Sequence, residues 1–184
     1  MKGGVAQRLA ALGLELPPVP QPRGAFKPYS RSGSLVFLAG QICEWNGEVR
    51  YSGRIGEAHE LPAGQKAAEL CALNLLASLR LALDGNLDRV VCCHRLGGFV
   101  LAKPDYSDVP KVINGASDLM VALFGEHGRH ARTSVGVANL PATSSVEVEG
   151  SCVVSGSLTL PLRPRSSVLG DDLARFWLGF RQHE

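Results

Sequence analysis

The chain has 184 residues, 45% of them hydrophobic and 20% charged, with a formal net charge of +2. That size and usage describe one globular domain with its own core, not a disordered chain. The charge is too small and the arginines too scattered to predict nucleic-acid binding, and five cysteines without a CxxC pair suit a reducing compartment better than a disulfide framework.

Val5 to Leu12 reads as a short helix closed by Gly13, and Pro17 to Pro22 as an extended linker that cannot continue it. Leu35 to Ile42, rich in β-formers and bounded by Gly33 and Gly40, predicts a strand. Asn46-Gly47 then predicts a hairpin within Glu44 to Ser52. Pro62 to Leu83 is a long helix with a wide apolar surface, stopped at Gly85. Its polar interruptions, Asn74, Ser78 and Arg80, rule it out as a bilayer span. Val90 to Ala102 is a strand whose Gly97-Gly98 pair implies a bulge or a close backbone approach.

Asp108 to Phe124 is a second helix, with Pro110 in its first turn. Thr133 to Ala138 and Val146 to Leu160 are the last strands. The order β-β-α-β-α-β-β predicts an α+β layer, a single sheet with two helices on one face. Beyond Leu160 a linker leads to Leu169, Leu173, Phe176, Trp177 and Phe180, one apolar stripe of a C-terminal amphipathic helix. The organisation is therefore an N-terminal helix and Pro-rich linker over 1–23, a main domain over 24–160, and a linker with the terminal helix over 161–184. No basic head with an apolar stretch behind it marks a secretory signal, so a cytoplasmic protein is expected.

The chemistry concentrates between His130 and Glu149. Arg132 stands at the mouth of a strand, and its planar five-donor fork suits a carboxylate held by two parallel hydrogen bonds. Alternation places Arg132, Ser134, Gly136 and Ala138 on a nearly bare face. Thr133, Val135 and Val137 share the other, which asks for a hydrophobic layer. Glu147 and Glu149 project together from the last strand. If the last two strands formed a hairpin, Glu147 would lie ~20 Å from Arg132, at roughly 3.3 Å per residue. A shared site therefore requires a non-hairpin crossing or a neighbouring subunit.

Other groups read as structural. Cys92-Cys93-His94 has no second ligand pair at a metal-binding spacing. His127 and His130 sit near a helix end, where imidazoles meet terminal carbonyls. Lys103, Asp105, Tyr106 and Asp108 form a surface loop, and no P-loop, dinucleotide fingerprint or nucleophile elbow occurs.

Several segments, taken in order, resemble the reactive-intermediate deaminase family of YjgF-type proteins. Pro28-Tyr29-Ser30, Leu38-Ala39-Gly40-Gln41-Ile42 and the helix with Gln65, Leu70 and Asn74 each resemble one of its elements. Ala131-Arg132-Thr133-Ser134-Val135, then Leu140-Pro141, then Val146-Glu147-Val148-Glu149 resemble its signature in order and spacing. The likeness spans Gly24 to Ser155. It departs at Ser134 and Gly136, where the family often has Cys and Glu, and at Lys27 and Ala39. Asn114 to Leu119 also replaces the usual helix pattern.

The resemblance implies a chorismate-mutase-like fold of the bacillus type and a homotrimer with clefts at its subunit interfaces. It further implies hydrolysis of small 2-imino acids to 2-keto acids and ammonia, without metal or organic cofactor. In that reading Arg132 binds the substrate carboxylate, Glu147 orients or activates water, Tyr29 belongs to the cleft, and Gly40 and Ser134 line the ligand. The alternatives are a non-catalytic binder of small carboxylates such as keto acids or amino-acid metabolites, and an endoribonuclease of the L-PSP type. Neither nucleic acid nor membrane is an expected partner.

Overall fold

A computed structural model of the protein describes residues 3–156, so the strand end past Gly156 and the C-terminal amphipathic helix lie outside the described residues. The helices are α1 (Val5–Ala11), α2 (Leu61–Ala82) and α3 (Val109–Phe124). The strands are β1 (Tyr29–Ser32), β2 (Leu35–Ile42), β3 (Glu44–Trp45), β4 (Glu48–Val49), β5 (Val90–Leu101), β6 (Ala131–Val137) and β7 (Val146–Val154). Asn46 and Gly47 both have positive φ, 53° and 82°, the primed-turn geometry their dipeptide favours, and they join β3 to β4.

The main sheet runs β1-β2-β7-β5-β6, with β3-β4 as a separate ribbon. Every pairing in the main sheet is antiparallel except β5 with β6. A parallel pair needs a long crossover, and α3 supplies it. The chain then returns past the end of β5, where Leu101 N donates to Ser145 O at 2.9 Å, and inserts β7 between β2 and β5. The last two strands are therefore not a hairpin. The short edge strand β1 goes beyond the sequence expectation, whose first strand began at Leu35.

Helices α2 and α3 pack against each other and against one face of the sheet. Leu75, Leu76 and Leu79 of α2, Val112 and Ile113 of α3, and Val36, Val100 and Val148 of the sheet are all fully buried in one core. Helix α1 adds Val5 and Leu9 to it. The Gly97-Gly98 pair serves close approach and not a bulge. A Cβ at Gly98 would lie 2.5 Å from Ile113 of α3, and one at Gly97 would lie 2.7 Å from the Glu149 carboxylate on the other face. The β5 register shifts fall nearer its start, between Val90 and Cys92 and between Cys93 and Arg95.

The opposite face of the sheet carries no helix layer from the described residues. Phe37 is 48% exposed there and Val135 41%. This corrects one sequence expectation. The valine side of β6 lies on the uncovered face, and the nearly bare side, with Arg132 and Ser134, lies toward α3.

Candidate functional site

Arg132 is the second residue of β6 and stands in register with Leu96, whose side chain is in the core. Partnered residues share a face, so the guanidinium runs along the helix side of the sheet, at its edge. There Arg132 Nη1 donates to Asn114 Oδ1 at 2.9 Å and to Ser117 Oγ at 3.0 Å. Asn114 and Ser117 are three apart on α3, so they meet the strand from one helical face.

Ser117 Oγ also lies 3.1 Å from His130 Nε2, and His130 Nδ1 lies 2.7 Å from Gly128 O. A carbonyl only accepts, so Nδ1 carries the hydrogen; in the neutral ring Nε2 is then an acceptor for the serine hydroxyl. Burial, more than the nearby Arg132 charge, holds His130 below the usual imidazole range, partly countered by the Gly128 bond. The result is a directed chain from Arg132 through Ser117 to His130.

Ser134 follows on the same side, beside Gly98. Its hydroxyl is buried with no hydrogen-bond partner among the described residues. A Cβ at Gly136 would be no closer than 3.8 Å to Val109, so this side of β6 stays roomy.

Glu147 belongs to the other face. Its neighbours Val146 and Val148 are fully buried on the helix side, so alternation turns the Glu147 carboxylate outward, between Ile42 and Phe99. The carboxylate rests directly over Gly40, where an added Cβ would have to push it aside. Burial first, and then the neighbouring Glu149 carboxylate, push Glu147 above the ordinary carboxylate range. Glu149 is itself paired with Arg95 at 2.8 Å.

Around Glu147 and Gly40 lies a cleft of about 330 Å³. Its second wall is the extended arm before β1, which contributes Pro22, Arg23 and Phe26. Arg23 Nη2 donates to the largely buried carboxylate of Glu44 at 2.6 Å, which ties the arm to β3.

Tyr29 lies opposite the buried Leu38, half-buried against the core on the helix side. It sits on the outer edge strand β1, and Arg132 on the other edge strand, β6. Four strand spacings separate those edges, ~19 Å. The chain therefore brings Arg132 and Ser134 together, and Gly40 and Glu147 together, while Tyr29 stands apart from both pairs. Among the described residues no group of three or more His, Cys, Asp or Glu side chains could hold a metal, and no helix is long and apolar enough to cross a membrane.

Sequence reasoning missed the roles of Asn114, Ser117 and His130. The signals were present: a polar i, i+3 pair on a helix otherwise apolar on its inner side, and a histidine two residues before the arginine on an alternating segment. It also missed the arm as a cleft wall, since Pro-rich spacing reveals extension but not what the segment lies against.

Residues 6–150 match the family described as "YjgF/chorismate mutase-like, putative endoribonuclease". The chain belongs to this YjgF/Rid family, and its α+β, chorismate-mutase-like fold is the family's. Protein TCP17 of Trypanosoma cruzi is 39% identical over 148 residues, covering 80% of this chain and 92% of that protein. A protein of unknown function from Agrobacterium tumefaciens is 37% identical with a TM-score of 0.77, covering 83% of this chain and 94% of the other. One from Shewanella oneidensis, described as a "putative endoribonuclease", is 34% identical with a TM-score of 0.80, covering 83% of this chain and all of its own.

Proposed function

We propose that this protein is a hydrolase of small 2-imino acids, releasing 2-keto acids and ammonia, in the manner of the imine deaminases its family includes. Arg132 binds the substrate carboxylate, and the observation that carries this is how the guanidinium is held. Both hydrogens of Nη1 are used on Asn114 and Ser117, while Nε and Nη2 make no bond among the described residues. That leaves a two-donor edge, the geometry a bidentate carboxylate needs.

The site works in a homotrimer. Arg132 and Tyr29 sit on the two outer edges of the sheet, and the face that exposes Phe37 and Val135 carries no helix from the described residues. Edge meeting edge between subunits brings the Arg132 of one chain to the Tyr29, Gly40 and Glu147 side of the next, with Ser134 lining the ligand beside the arginine. An iminium carbon is already electrophilic, so fixing the carboxylate and positioning one water suffices. Glu147, whose carboxyl burial holds above the ordinary range, lines the cleft where it can orient or activate that water. The protein acts in the cytoplasm.

The test is ammonia release from a freshly generated 2-imino acid. Wild-type protein speeds it, and Arg132→Ala loses about 100-fold, the loss of two charge-assisted hydrogen bonds at roughly 1.5 kcal/mol each. Sedimentation at micromolar concentration gives a trimer. Equal rates for wild type, variant and buffer sink the reading. A second reading, a binder of small keto acids without turnover, is favoured by the separation of Arg132 from Glu147 onto opposite faces of one chain. Calorimetry showing Arg132-dependent keto-acid binding without ammonia release would select it.

A further inference from the structure

Beside Arg132 the titratable group within hydrogen-bond reach of the same network is not Glu147 but His130. We propose that Ser117 and His130 form a proton-transfer pair serving the Arg132 site, with the Ser117 hydroxyl meeting the attacking water and His130 acting through it. The proposal rests on the imine-hydrolysis reading and assigns that site its acid-base machinery.

Three observations support it. The Ser117 Oγ to His130 Nε2 separation is 3.1 Å, inside the range for a proton donor and its base. The ring is oriented by a third group, Gly128 O at 2.7 Å, which fixes the hydrogen on Nδ1 and leaves Nε2 to accept. The same Ser117 oxygen accepts from Arg132 Nη1 at 3.0 Å. The hydroxyl is thereby placed within one bond of the group that holds the substrate, with one acceptor direction left for water. Asn114, at 2.9 Å from Nη1, keeps the guanidinium from turning away. Burial favours the uncharged ring, the form a base must have.

The step balances without any further reactant. Water attacks the iminium carbon, the new C–O bond forms, and the C=N π electrons move to nitrogen. The water proton passes to Ser117 Oγ as the serine proton passes to His130 Nε2, giving a neutral carbinolamine head and an imidazolium. The imidazolium returns its proton through Ser117 to the amine nitrogen. The C–N bond then breaks, the carbonyl forms, and the carbinol proton leaves with ammonia as ammonium. Ser117 is the catalytic hydroxyl; His130 acts through it.

The experiment measures ammonia release by the full chain as wild type, S117A, H130A and R132A, with folding of each checked by thermal melting. The expected result is a kcat loss of about 100-fold in S117A and in H130A, in line with general acid-base catalysis, with KM within about threefold. S117T restores part of the rate, and added imidazole restores part of the rate of H130A but not of S117A. A loss confined to KM, or wild-type kcat in S117A, overturns the proposal. If H130A does not fold, S117A and S117T decide alone. Turnover abolished in R132A but intact in S117A and H130A overturns the pair and leaves the imine-hydrolysis reading standing. Wild-type protein without Arg132-dependent turnover overturns both.

Discussion

The two faces of the sheet are built on different terms. On the helix side, Arg132 is held by partners from its own chain, and each bond in the run from Asn114 through Ser117 to His130 has a defined direction. On the uncovered side, Glu147 has no salt bridge or hydrogen bond to another side chain among the described residues, sits half-buried over a glycine, and is raised in consequence. One face is preorganised within the chain. The other is a carboxylate over a cleft walled by the extended arm before β1. Arg132 and Glu147 thus stand on opposite faces of one chain, and the joint chemistry proposed above depends on assembly.

The sharpest way to test the difference is to crowd each face with one methyl group. On the helix side, Gly98→Ala places a Cβ 2.5 Å from Ile113, a fully buried residue of α3 with nowhere to retreat. Overpacking of this kind costs ~1–3 kcal/mol, so denaturant unfolding should show a clear fall in midpoint. An unchanged midpoint would mean that the α3 layer yields easily, and the claimed rigidity of the Arg132 side would go with it.

How far the sequence speaks also differs between the faces. The strand and helix periods, the stop at Gly85 and the special demand at Gly97-Gly98, read as bulge or close approach, were readable, because each is a local consequence of side-chain size and backbone freedom. The family was readable from ordered motifs. The sidedness of β6 was not. A strand with valines on one side and Arg132, Ser134 and Gly136 on the other predicts valines inward. Here the helix side of that edge is filled by α3, whose Asn114 and Ser117 give a polar rim the arginine can use. The valines instead face the uncovered side, where Val135 is 41% exposed. Strand order was equally out of reach. A short link between β6 and β7 suits a hairpin, yet β7 lies between β2 and β5, set by pairings with strands distant in sequence. The β1 strand, four residues at an edge with half its side chains in water, carries too little pattern to see.

On the uncovered side the same methyl should do something else. Gly40→Ala places a Cβ where the Glu147 carboxylate rests, but that carboxylate is the far end of a flexible side chain facing a cleft. The fold cost should stay under ~1 kcal/mol, since the side chain can swing aside. Displacing a group that positions water by an ångström or so should lower imino-acid turnover roughly 10- to 100-fold. Thermal melting beside the ammonia assay separates the two effects. A variant as active as wild type would remove Glu147 and Gly40 from the reaction and leave the Arg132 side to work alone.

The smallest effect tests whether Glu147 is raised in the way its surroundings require. A carboxyl whose native pKa is raised binds its proton more tightly folded than unfolded. Its contribution to stability is therefore fully present below the ordinary glutamate value, ~4.3, and is lost as pH rises through the native pKa. Glu147→Gln removes that dependence, because an amide does not titrate. Unfolding of both proteins followed by urea from pH 4 to 8 should show wild type falling behind the variant as pH rises, with the gap constant once Glu147 is ionised. Burial is the larger cause of the shift and Glu149 the smaller, so Glu149→Gln should shrink the gap without abolishing it. A gap that closes with rising pH would mean the carboxylate is stabilised in the native state, contrary to burial as the main influence on it, and the contrast between the two faces would fail at Glu147.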